Sequence, residues 1–132
     1  MNTRLLIIED NAQNFYMMRF LLESNGFTVI GAENGRDGIS EALRRRPEMI
    51  LLDIQLPEMD GYAVAAELKK HTELADIPII AVTSYAMAGD RERILAAGAT
   101  GYIEKPINPE TFVAEISKYL PEDRADGMEA RQ

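Results

Sequence analysis

The chain contains no cysteine, which excludes disulfides, thiolate metal sites and cysteine nucleophiles together. Its single histidine, His71, excludes multi-histidine metal centres. His71 itself is expected on an exposed helix face. No apolar stretch approaches the roughly 20 residues of a membrane span. Met1-Asn2-Thr3-Arg4 leads straight into a short apolar segment, without the longer apolar region and small-residue cleavage site of a secretory signal. A cytoplasmic location without membrane contact is therefore expected. Positive charge is also scarce. Fourteen Lys and Arg against 22 Asp and Glu leave a net charge of −8, which disfavours nucleic acid as a partner. The one basic run, Arg44-Arg45-Arg46, is expected at a helix C-terminus, where cations favour the helix dipole. Neither G-x-x-x-x-G-K-[ST] nor a G-x-G-x-x-G after the first strand occurs, so the usual nucleotide cradles are missing as well.

What remains is an ordinary globular composition, 46% hydrophobic over 132 residues, enough for one domain with one core. Apolar runs alternate with helical patterns along the chain. Strands are expected at Arg4–Glu9, Phe27–Ala32, Met49–Asp53, Ile77–Thr83 and Gly101–Lys105. Helices are expected near Asn11–Asn25, Arg36–Arg46, Tyr62–Thr72, Asp90–Ala97 and Pro109–Leu120, the last with proline at its start. Gly26 and Gly98 stand where helix C-caps belong. Strands alternating with helices of this length imply βαβ units with right-handed crossovers. The fold class is therefore α/β, a (βα)5 unit with a doubly wound five-stranded parallel sheet. Residues 1–120 form the domain. Residues 121–132 are polar, with proline, glycine and mixed charge, and are expected to be a disordered tail.

Asp53 ends the unalternating apolar run Met49-Ile50-Leu51-Leu52, the pattern of a strand buried on both faces. Ligands bind at the carboxyl rim of an open parallel sheet. The other strand ends carry Glu9-Asp10, Thr83 and Lys105, and only Gly31-Ala32 offers nothing polar. Any one of these groups alone reads as a solvated strand end. Four loaded ends of five on one edge make a site. Three carboxylates clustered at about 4 Å cost on the order of 4 kcal/mol per pair at an effective dielectric near 20. Lys105 and a hard divalent cation such as Mg2+ are the sources of relief. A carboxylate nucleophile, a metal, a lysine and a hydroxyl together suit phosphoryl transfer.

The segments Ile8-Glu9-Asp10-Asn11, Leu52-Asp53-Ile54-Gln55-Leu56-Pro57-Glu58-Met59-Asp60-Gly61, Val82-Thr83-Ser84 and Tyr102-Ile103-Glu104-Lys105-Pro106 resemble those of a response-regulator receiver domain, over roughly residues 4–120. The resemblance implies the flavodoxin-like strand order 2-1-3-4-5. It also implies that Asp53 accepts a phosphoryl group from the phosphohistidine of a sensor histidine kinase or histidine phosphotransfer protein. Asp10, Asp53 and the carbonyl of Gln55 would hold Mg2+, with Glu9 acting through water. Thr83 and Lys105 would bind the phosphoryl group, Tyr102 would be the aromatic switch, and the Lys105-Pro106 bond would be cis. The acidic pair here is Glu-Asp where Asp-Asp is commoner. Asp60-Gly61 reads as a turn and helix entry, not as ligands.

From Phe15 to Leu22 only Arg19 is neither apolar nor aromatic. A helix against a sheet needs one apolar stripe, and spacing assigns Met18, Leu21 and Leu22 to it. Tyr16, Met17 and Phe20 are then surplus. With Pro106 they are candidate docking residues for the phosphodonor, the competing reading being cover for the sheet edge. Gln55 and Tyr85 are expected to flank the phosphoryl site and shield it from water. No output domain is expected in this chain, so the signal is expected to leave by binding a downstream protein target. Two other functions fit the class: a receiver-like interaction module that is never phosphorylated, and a metal-dependent phosphohydrolase with an aspartate nucleophile. The hydrolase would need a second acid two residues after the nucleophile, where this chain has Gln55.

Overall fold

In the computed structural model, residues 3–84 and 88–120 are described. Tyr85 and the segment 121–132 lie outside them. Five strands form one parallel sheet in the order β2-β1-β3-β4-β5, as expected. They are β1 (Arg4–Ile8), β2 (Thr28–Ala32), β3 (Met49–Asp53), β4 (Ile79–Thr83) and β5 (Gly101–Glu104). The helices are α1 (Ala12–Ser24), α2 (Gly35–Arg45), α3 (Gly61–Lys70), α4 (Ala88–Ala96) and α5 (Phe112–Ser117), with a short 3-10 turn at Thr72–Leu74. Among the described residues no helix is long and apolar enough to cross a membrane.

The period-2 geometry of a strand sorts the core. Leu5 and Ile7 of β1 join one buried cluster with Met18, Leu22, Phe112 and Ile116 of α1 and α5. Leu6 and Ile8 join the other with Ala42, Val64 and Leu68 of α2 and α3. Every residue of β3 and β4 is buried, which explains their lack of alternation.

Three of the helices begin with a side-chain cap just beyond the sheet's carboxyl edge. Asn11, Asn34 and Asp60 accept from the backbone N–H groups of Asn14, Asp37 and Ala63 at 2.9, 2.8 and 2.9 Å. These caps satisfy N–H groups the helix cannot pair internally. Asp60 is thus the entry to α3, as the sequence implies. Arg44 and Arg45 occupy the last turn of α2, and Arg46 closes it in the left-handed conformation at φ 46.

Several boundaries move for identifiable reasons. β2 starts at Thr28 because the Phe27 N–H is spent on Leu22 O, closing α1. β4 starts at Ile79, since Pro78 has no N–H and contributes only its carbonyl, which accepts from Ile50. Helix α5 is shorter than expected. Asn108 accepts from the N–H of Glu110 through its side chain and from Thr111 and Phe112 through its carbonyl, so Pro109 sits in a turn before the helix. His71 is not on a helix face: it is the extended C-cap of α3 and half-buried. Leu21 is only half-buried, and Met17, expected to be surplus, packs against the α1 side of the core.

Candidate functional site

The sheet edge concentrates the fold's buried polarity. Of the four buried polar or charged residues among those described, three stand at strand ends: Glu9 at 2% exposure, Asp53 at 3% and Thr83 at 0%. Asp10, one residue beyond Glu9, is exposed. β1 and β3 are neighbours, so Glu9, Asp10 and Asp53 meet, each offering a carboxylate oxygen within 4.8 Å of the others. Lys105 comes from just past β5 and reaches across, its Nζ 3.1 Å from Glu9 Oε1 and 3.2 Å from Asp53 Oδ1. Its backbone N–H donates to Thr83 O at 2.8 Å, which ties the lysine to the end of β4. The Lys105-Pro106 peptide is cis, and Pro106 is exposed.

Backbone donors orient two of the carboxylates. Gln55 N–H donates to Asp53 Oδ1 at 3.0 Å and Asn11 N–H to Glu9 Oε2 at 3.1 Å. Asp53 Oδ1 therefore serves both the loop amide and Lys105, which fixes the carboxylate plane. Glu9 Oε1 is buried and has no hydrogen bond of acceptable geometry despite the nearby ammonium. Burial pushes the Glu9 carboxyl up from 4.5 to about 7. A hydrogen bond and the charge of Asp53 add to this, while the Asn11 N–H and Lys105 oppose it. For Lys105, burial pulls the ammonium down, but Glu9 and then Asp53 outweigh it and raise it. Two carboxylates thus share one ammonium, and burial holds the Glu9 carboxyl above its usual range.

That shared ammonium, and three carboxylate oxygens gathered in one cluster, fit a hard divalent cation as the further source of positive charge. Mg2+ takes oxygen ligands at about 2.0–2.1 Å in octahedral geometry and usually keeps several waters. Glu9, Asp10 and Asp53 are the residues that would hold such an ion.

Tyr102 is not in the cluster. It is half-buried beside Ile54, Ala81 and Ile94, with the Arg91 guanidinium 5.3 Å from its ring centre. On α1, Tyr16 and Phe20 are 71% and 62% exposed. They form a surface patch, whereas Met17 belongs to the packing. Sequence reasoning missed the cleft behind this patch. A cavity of about 640 Å³ opens from Glu9 and Asp10 toward Asp37, with Phe15, Tyr16 and Gly31 among its walls. The ring of Phe15 lies directly on Gly31, where an added Cβ would meet Phe15 Cζ at 2.6 Å. A glycine at a strand end is a mark of close approach, and Gly31 is the only signal the sequence carried for it.

The model of the response regulator receiver domain matches residues 5–117. The polar-differentiation response regulator DivK of Brucella anthropi is 45% identical over 115 residues, 87% of this chain and 94% of that protein. Among solved structures, the chemotaxis protein CheY4 of Vibrio cholerae superposes with a TM-score of 0.87 at 26% identity, covering 91% of this chain and all of that one. The receiver domain of the sensor histidine kinase PA1611 from Pseudomonas aeruginosa, solved with a magnesium ion coordinated in its active site cleft, gives 0.83 at 32% identity, over 90% of this chain and 98% of that one.

Proposed function

Because the chain belongs to the response regulator receiver domain family, and so to two-component signalling, we propose that Asp53 is its phosphoacceptor. The observation that carries this reading is the joint placement of Glu9, Asp10, Asp53 and Lys105 at one sheet edge, with the lysine 3.1 and 3.2 Å from two of the acids. A carboxylate oxygen of Asp53 attacks the phosphorus of a phosphohistidine. A P–O bond forms as the P–N bond breaks, and the imidazole leaves with the bonding pair as a neutral ring, keeping the proton already on its other nitrogen. Gln55 N–H and Lys105 hold Asp53 in one orientation, which lowers the entropy of attack. Asp10, Asp53 and the Gln55 carbonyl, with Glu9 beside them, would hold Mg2+. When bound, the ion neutralises the clustered carboxylates and the equatorial oxygens of the transferring group. The PA1611 receiver, with its magnesium ion, supports the choice of metal.

Once phosphorylated, Asp53 presents new acceptor oxygens to Thr83 and Lys105. Charge-assisted hydrogen bonds contribute roughly 1.5–3 kcal/mol each, against about 5.5 kcal/mol for a shift from 1:99 to 99:1. Two such bonds give a large but incomplete shift. Thr83 moves inward, Tyr102 follows, and the surface of α4, β5 and α5 changes for a downstream protein to read. Tyr16 and Phe20, beside the cleft that leads to Asp10, form the docking patch for the kinase or phosphotransfer protein, acting in the cytoplasm. The interaction-module alternative gains no support, since each site residue is present.

Incubation with acetyl phosphate and Mg2+ followed by intact mass measurement tests the proposal. One added phosphate is expected, absent in Asp53→Asn. No added mass in the native protein would favour the interaction module, and rapid turnover of small phosphate esters the hydrolase.

A further inference from the structure

Helix α4 is held to the domain by little apolar surface. Of its described side chains only Ile94 is buried, at 1% exposure, while Leu95 is 50% exposed. Ile94 enters the smallest of the three core clusters, with Ile54 and Ala81, flanked by the half-buried Tyr62 and Tyr102. Each tyrosine is covered by an arginine of α4. Arg93 lies 4.2 Å from the ring centre of Tyr62, near the start of α3, and Arg91 lies 5.3 Å from that of Tyr102, on β5. At about 100° per residue, Arg91 and Arg93 fall on opposite sides of Ile94. Ile94 is thus the one buried side chain among those described on α4, with a guanidinium over a tyrosine ring on either side of it.

The two tyrosines connect these stacks to the site. Tyr62 follows Gly61, whose N–H donates to Ile54 O at 2.9 Å, directly after Asp53. Tyr102 lies on the strand that delivers Lys105. We propose that Arg93 and Tyr62 are positioning residues for the phosphoryl-dependent switch, their stack holding α4 in the resting arrangement. This rests on the phosphoacceptor reading above. It adds a residue pair, on the side of α4 away from Tyr102, that sets how readily the switch is thrown. An inward movement of Tyr102 withdraws the ring from Arg91 and requires α4 to turn about Ile94, which Arg93 on Tyr62 resists. Linkage is reciprocal. If a phosphoryl group at Asp53 loosens α4, then loosening α4 must tighten the hold on a phosphoryl mimic, because apparent affinity scales with the competent fraction.

The test uses the full chain, Mg2+ and beryllofluoride, a mimic that binds reversibly. Arg93→Met keeps the length of the side chain and loses the cation; Tyr62→Leu keeps an apolar side chain and loses the ring. Each is expected to tighten beryllofluoride binding about two- to fivefold, the ratio given by an exposed cation–π increment. Each should also speed hydrogen exchange of the α4 amides in the unliganded protein. The double variant should do no more than either single one, and Arg93→Lys should retain part of the native behaviour. Normal beryllofluoride binding with unchanged affinity and α4 exchange in both variants would overturn the positioning role, as would effects that simply add in the double variant. Native protein that takes up no beryllofluoride would overturn the phosphoacceptor reading instead. The α4 exchange rates would then decide the positioning role alone, unchanged rates overturning it.

Discussion

Removing metal from this protein should make it less stable as the solution becomes less acidic, because of Glu9. Its carboxyl rises from 4.5 to about 7 on folding, chiefly through burial. Between those values the folded chain binds more protons than the unfolded one, so stability falls as pH rises. The contribution is full below the unfolded value and is lost on passing the folded one. Across about pH 5 to about pH 8 the loss amounts to about 2 to 3 kcal/mol. For a domain of this size that is roughly a 10 °C drop in Tm. Lys105, also raised, loses its contribution only above its own, much higher range and leaves this window flat. The assay is thermal unfolding in chelator at several pH values, for the native protein and Glu9→Gln, which cannot ionise. The difference between the two curves should slope downward by that amount and level off above about pH 8. Saturating Mg2+ should flatten the native curve, since the bound cation favours the ionised carboxylate. A difference that is flat with pH in chelator, or one that rises, would refute the account of a carboxyl held neutral by burial.

Three further outcomes are expected. Lys105→Met removes the cation between Glu9 and Asp53 and should cost about 3 kcal/mol at alkaline pH, less near pH 5 where Glu9 takes a proton; denaturant unfolding that shows a pH-independent cost would contradict the pairing. Asp60→Ala removes the cap on Ala63 N–H and should cost about 1 kcal/mol, measured by urea unfolding, with Asp60→Asn nearly neutral. Gly31→Val must displace the Phe15 ring, given the 2.6 Å approach to an added Cβ. It should lower stability by about 1–3 kcal/mol and slow phosphoryl transfer from a donor protein more than from acetyl phosphate, a selectivity that kinetics with both donors would check.

The legible part of this protein was periodic or punctual. Met49–Asp53 is buried throughout and reads as an unbroken apolar run; Asp60-Gly61 reads as a helix entry and caps α3. The acids at the ends of β1 and β3 could be paired from topology alone, because parallel strands place like ends together. Less legible were features set by competition for one backbone group. Phe27 N–H serves α1 instead of the sheet, and Asn108 holds the chain in a turn before α5. Met17 looked surplus by helical spacing, yet α1 packs deeply enough to use it. The cleft beside Asp10 left only Gly31 as a mark in the sequence, since its walls come from α1, β2 and α2.

The sequence by itself determined the strand–helix alternation, and with it which side chains share the carboxyl edge. Hydrophobic period and strand direction are local properties of the chain. Only the tertiary structure decided how those side chains bear on one another. Lys105 becomes the common partner of Glu9 and Asp53 through a span of 3.1 and 3.2 Å. Glu9 becomes hard to ionise because neighbours from other strands exclude water from it. Tyr62 and Tyr102 come under two arginines of one helix. Burial, charge and stacking depend on distances between segments far apart in the chain, and those distances exist only once the core has closed.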